Sequence, residues 1–168
     1  MFASPEQSVQ VQQDLFDFIE PFIDSNPFVL LGFIFVNNAV KSLLVIILGV
    51  LLGLPSVLFI FVNGYLIGSV IQIIHPQLGY HVLLAGLLPH GIIEIPAILL
   101  ASGLGIHIGY TVLQHLAGQK SEVRVTLMNG LMIYVRLILP ALLLASIIEV
   151  LVTPPLIELA ATTIDFSV

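Results

Sequence analysis

Apolar residues run along this chain in long blocks separated by short polar turns, without the alternation that marks a half-buried strand. A helix needs about 20 apolar residues to cross a hydrocarbon core ~30 Å thick, and four blocks are long enough. The first covers 28–52 and stops at "GLP" (Gly53, Leu54, Pro55). The second covers 56–74 and stops at "HPQLGY"; the third covers 81–103; the fourth covers 125–152 and is closed by "TPP". The pattern predicts an all-α, polytopic membrane helix bundle of about four transmembrane helices, in one domain over residues 1–168.

Two stretches are not spans. Residues 7–24 place Val11, Leu15, Phe18, Ile19 and Phe22 at helical spacing with carboxylates between them, which predicts an N-terminal amphipathic helix in the membrane interface. Residues 104–117 are short and carry His107, Gln114 and His115, which predicts a surface or re-entrant helix. The first span has a second parse. Asn37, Asn38 and Lys41 are expensive in lipid, so a break at "NN" would leave 39–54 as the crossing.

Composition agrees with the hydropathy. Of 168 residues 58% are hydrophobic and 8% charged, and the mean hydropathy is +1.15, where a soluble domain is about one quarter charged. The net charge of −6 comes largely from Glu6, Asp14, Asp17, Glu20 and Asp24, which excludes nucleic acid as an expected partner. That acidic start has no basic n-region, so no cleaved signal peptide is expected. There is no cysteine, hence no disulfide or thiolate chemistry. Outside the spans only Lys120 and Arg124 carry positive charge, which predicts a cytoplasmic 118–124 loop and both termini outside a prokaryotic plasma membrane.

The span centres fall near residues 40, 65, 92 and 138, and polar residues sit close to each: Asn37, Asn38 and Lys41; Asn63; His90 and Glu94; Arg136. Ionisable residues at this depth face a bundle interior and pair with one another, so Glu94 is expected to meet Lys41 or Arg136. Pro89, Pro96 and Pro140 each remove a backbone bond and predict kinks. Gly49 with Gly53, Gly64 with Gly68 and Gly105 with Gly109 are GxxxG pairs that let helix backbones approach. The bilayer, and a second copy or other membrane proteins, are the expected partners.

Three functions compete on these residues. His90 and Glu94 lie on one helix face and are weak candidates for a metal, but "HGIIE" lacks the zinc-protease spacing, so no metal or other cofactor is expected and an intramembrane hydrolase ranks third. Kinked helices with a central carboxylate and imidazole suit an oligomeric transporter of a proton, cation or small solute, although no inverted repeat is visible. The reading ranked first is a non-enzymatic membrane scaffold or recruiter of partner proteins, with the transporter second. No phosphate loop or nucleophile triad is present, so the chain is expected not to be an enzyme.

The linked blocks "NNAVKSLLVIILGVLLGLPSVLFIFVNGYLIG" (37–68) and "LLPHGIIEIPAILLASGLGIHIG" (87–109) resemble the stage II sporulation protein M family, over about two thirds of the chain. The resemblance implies a multi-pass, non-catalytic membrane protein that anchors or recruits partners, with enzymatic work left to those partners. It also implies that "NN" opens the helix that follows, favouring 39–54 as the first crossing.

Overall fold

The computed structural model describes residues 26–164, and the expected amphipathic helix over 7–24 lies outside them. The described residues form helices and turns with no strand, and four helices are long and apolar enough to cross a membrane. They are α1 (Pro27–Leu48), α2 (Leu54–Pro76), α3 (Gly79–Leu116) and α4 (Val123–Leu151), followed by a shorter α5 (Thr153–Ile164). The chain is an all-α membrane bundle.

Helix α1 starts where its sequence directs. Asn26 caps it by accepting a hydrogen bond from the Phe28 N–H at 3.0 Å, and Pro27 occupies the first turn, where no donor is needed. The helix then runs unbroken through Asn37 and Asn38 to Leu48, so the first crossing is 27–48 and not 39–54. The asparagines do not open a helix because the Asn38 amide is used laterally, against another helix. Past Leu48 the chain turns through 49–53, with Leu52 at φ 58° and Gly53 at φ 73°. A left-handed Leu is uncommon, and the close contact made by Gly53 explains why the turn is so tight.

That contact is a crossing of backbones. A methyl placed on Gly49 would lie 2.6 Å from the Gly105 Cα, and one on Gly109 would lie 2.6 Å from the Gly53 Cα. Both pairs are 56 residues apart in sequence, so α1 and its turn pack on α3 in a single parallel register. Ser56 seals the crossing by donating to the Val45 carbonyl at 3.0 Å. Gly64 and Gly68, by contrast, have no atom within 4 Å of an added Cβ. Their GxxxG makes no close backbone contact among the described residues, and Gly64 borders a cavity between α2 and α3 instead.

Between α2 and α3 the helical path breaks at Gly79, whose φ of 74° and ψ of 175° suit glycine alone. Within α3 the backbone stays helical through Pro89 and Pro96, so the sharp break expected at those prolines lies upstream. Pro140 acts differently: the turn before it, Tyr134–Ile138, is a π-helix, and the Leu139 N–H reaches back to Tyr134. Widening that turn accommodates the missing donor.

Residues 104–117 continue α3 rather than forming a separate surface or re-entrant helix. Gly105 and Gly109 need an unbroken helix to dock on the α1–α2 turn, and beyond Gly109 the helix overshoots that turn by roughly 10 Å at 1.5 Å per residue. His107 and His115 are exposed there. The core is built from Ile46, Ala97, Ala101, Ile108, Tyr134, Ile138 and Leu142, and so joins α1, α3 and α4. Helix α5, with Pro154 and Pro155 in its first turn, folds back so that Ile157 lies near Gly86 of α3.

The crossing makes a stability prediction. Gly49→Ala or Gly105→Ala should destabilise the detergent-solubilised protein by about 1–3 kcal/mol through overpacking, while Gly68→Ala should change it by less than about 0.5 kcal/mol. Thermal unfolding of the three variants checks this.

Candidate functional site

Halfway along α1 and α3, the same register brings polar groups together. Asn38 and Glu94 are also separated by 56 residues, and the Asn38 amide donates to Glu94 Oε1 at 2.9 Å. From the glycine crossing both residues lie about 16 Å away along parallel helices. Glu94 is therefore held by an amide. Lys41, one turn further along α1, is near enough to act on Glu94 electrostatically. Its side chain is exposed and lines a shallow apolar depression with Leu44, Leu48 and Leu58.

Arg136 does not join this group. It is exposed on α4 and shares a surface depression with Asn129, Met132 and Ile133. The α4 residue that turns inward at this point is Tyr134, buried, whose hydroxyl donates to the Ala39 carbonyl at 2.9 Å. The widened turn over 134–138 rotates the helix so that Tyr134 and Ile138 face the core and Arg136 does not. The expected Glu94–Arg136 pair is thus replaced by an Asn38–Glu94 bond and a neighbouring Tyr134–Ala39 bond.

A different α4 residue reaches Glu94. His90, Glu94 and Glu149 each offer one ligand atom, all within 4.8 Å of one another, and all three residues are half-buried. His90 and Glu94 share a face of α3 at i and i+4. Glu149 comes from the last turn of α4, brought in by the reversal into α5. Thr153, buried at the start of α5, touches His90 Nδ1 at 3.5 Å and donates to the Ile148 carbonyl at 3.3 Å.

Next to these groups a cavity of about 230 Å³ opens between α2 and α3, lined by Ile60, Asn63, Ile67, His90, Gly91 and Glu94. Asn63 lines it but gives its own amide to the Phe59 carbonyl at 2.8 Å. Asn37 is half-buried on α1, and no hydrogen bond from it to the cluster is found among the described residues. Of the polar residues expected to converge, Asn38, His90 and Glu94 meet directly. Lys41 and Asn63 border the site, and Arg136 lies outside it.

Glu149 and Thr153 are the residues that sequence reasoning missed. Glu149 stands in "IIEVLV" near the end of an apolar run, where a carboxylate reads as marking the membrane edge. Only its position in an otherwise uncharged stretch, together with the helix-starting "TPP" four residues on, hints at a turn back toward the core.

The geometry separates two classes of substitution. Arg136→Gln should leave thermal stability within about 0.5 kcal/mol of wild type, as an exposed position. Tyr134→Phe should cost on the order of 1 kcal/mol, because it removes the buried hydrogen bond that ties α4 to the Ala39 carbonyl. Equal losses from the two variants would contradict the assignment of inward and outward faces on α4.

Comparison with known proteins adds one match. A family model for Stage II sporulation protein M matches residues 1–154. No curated protein and no solved structure matches the chain. The matched span takes in all four membrane helices, both glycine pairs of the crossing, and the His90, Glu94 and Glu149 cluster. The chain belongs to the Stage II sporulation protein M family.

Proposed function

We propose that this protein is a non-catalytic membrane scaffold that recruits other membrane proteins through α2. The observation that supports this is the burial of α2: the most apolar 18-residue stretch of Leu54–Pro76 contains no buried residue, whereas the corresponding stretches of α1, α3 and α4 each bury part of themselves. Phe61 and Tyr65 are 72% and 75% exposed, and Gly68, seven and three residues further on, lies on the same side of the helix with no atom within 4 Å of an added Cβ. Large side chains flanking a glycine let a partner helix approach closely in lipid, where packing and not water exclusion drives association. Recruiting is also what membership of this family suggests. On this reading the protein is multi-pass in the prokaryotic plasma membrane, with the 118–124 loop cytoplasmic on the strength of Lys120 and Arg124.

The lack of native cysteine makes the test direct. A single cysteine at Phe61, treated with a membrane-permeant bismaleimide in native membranes, should give a discrete protein adduct. A single cysteine at Met132, exposed on α4, should give little. Identical patterns at the two positions, or no discrete adduct at Phe61, would contradict recruitment through α2.

A further inference from the structure

We propose that His90, Glu94 and Glu149 form a binding site for a divalent first-row transition cation of the Zn²⁺ or Mn²⁺ kind. Three donors of mixed type, drawn from two helices and 55 residues or more apart for the α3–α4 pairs, come within 4.8 Å of one another. Bonds of ~2.0–2.1 Å place neighbouring ligands about 3.3 Å apart around a tetrahedral ion, so small side-chain rotations close the set.

Charge selects the ion. Two carboxylates at this depth repel each other, and the nearest cation, Lys41, is exposed and makes no ion pair with either within 4.0 Å among the described residues. Uncompensated charge is costly in a low-dielectric interior. One divalent ion balances both carboxylates, with a neutral imidazole completing the set, whereas a monovalent ion leaves a negative charge behind. The imidazole favours borderline first-row ions over Mg²⁺ and Ca²⁺, which prefer oxygen alone.

The surroundings orient the donors as a metal site requires. Asn38 occupies Glu94 Oε1 and leaves Oε2 free. Thr153, with its hydroxyl 3.5 Å from His90 Nδ1, is a partner that can fix the orientation of the imidazole. Such outer partners fix ligand geometry in known metal sites. The cavity of about 230 Å³ lined by His90 and Glu94 gives room for an open coordination position holding water and a way in for the ion. The consequence is a staple that ties the end of α4 to the middle of α3. It is independent of recruitment through α2, which would stand without it.

The test uses the full-length protein in detergent, stripped with EDTA and titrated with Zn²⁺ against a chromophoric chelator, with Mg²⁺ as the competing control. The expected result is one Zn²⁺ per chain, undisturbed by equal Mg²⁺, with a raised unfolding temperature in the loaded protein. Glu149→Gln should weaken binding at least 10-fold and abolish the stabilisation, while His115→Ala and Arg136→Gln bind as wild type. His90→Gln carries the same expectation as Glu149→Gln and serves if that variant does not fold. Absence of saturable Zn²⁺ binding, or wild-type affinity in a folded Glu149→Gln or His90→Gln variant, would overturn the proposal.

Discussion

Two backbones in direct contact, with no side chains between them, set the arrangement of this bundle. At Gly49 and Gly109 a Cβ would occupy space already filled by the facing main chain, and at Gly105 it would run into the Ser56 hydroxyl and the Val45 carbonyl. In lipid no hydrophobic force draws helices together, so close packing and interhelical hydrogen bonds must supply the attraction. The offset of 56 residues between these glycines then determines what meets further along. Three helical turns away it puts the Asn38 amide against the Glu94 carboxylate, and the core residues Ile46, Ala97 and Ala101 fall between the two contacts.

The polar interior follows from that register and from the cost of buried charge. A carboxylate in a low-dielectric interior needs donors or a counter-charge. Glu94 receives a donor from Asn38, and Lys41 sits a turn further along α1 with its side chain outward. Outward placement suits a lysine, whose flexible stem can carry the ammonium away from the apolar centre. Three buried serines, by contrast, return their hydroxyls to their own or a neighbouring backbone, Ser102 to Ile98, Ser146 to Leu142 and Ser56 to Val45, while the buried Ser42 hydroxyl has no partner among the described residues. Their small size keeps the helices close, and the result is a narrow bundle with α2 left on its flank.

Helix class and the existence of four crossings were legible in the hydropathy alone, because the length of an apolar run is a direct reading of membrane thickness. The limits of α3 were not. His107, Gln114 and His115 look too polar for a span, yet His107 lies between the docking glycines Gly105 and Gly109, and Gln114 and His115 belong to the part of the helix that passes beyond the α1–α2 turn. Among the three GxxxG pairs, nothing in the residues themselves distinguishes Gly64 and Gly68, which face open space, from the two pairs that cross. Which polar groups meet was the least legible feature. Depth along a span can be counted from sequence, but the facing direction of Arg136 depends on a π-turn set by Pro140, and the approach of Glu149 depends on α5 folding back. Both are tertiary effects that single-helix periodicity does not contain.

Family membership, an α2 exposed over its most apolar stretch and a polar interior therefore describe one object: a small membrane bundle whose inside is organised by a glycine crossing and whose outside leaves the flank of one helix available. The central claim is that the crossing sets the register of the polar site. A double-mutant cycle between Asn38→Ala and Glu94→Ala tests it when measured in two backgrounds. In the wild-type background the coupling should be about 1.5–3 kcal/mol, as for a hydrogen bond to a charged group. In the Gly105→Ala background, where α1 must shift against α3, it should fall toward zero. An undiminished coupling in a folded Gly105→Ala protein would contradict the account.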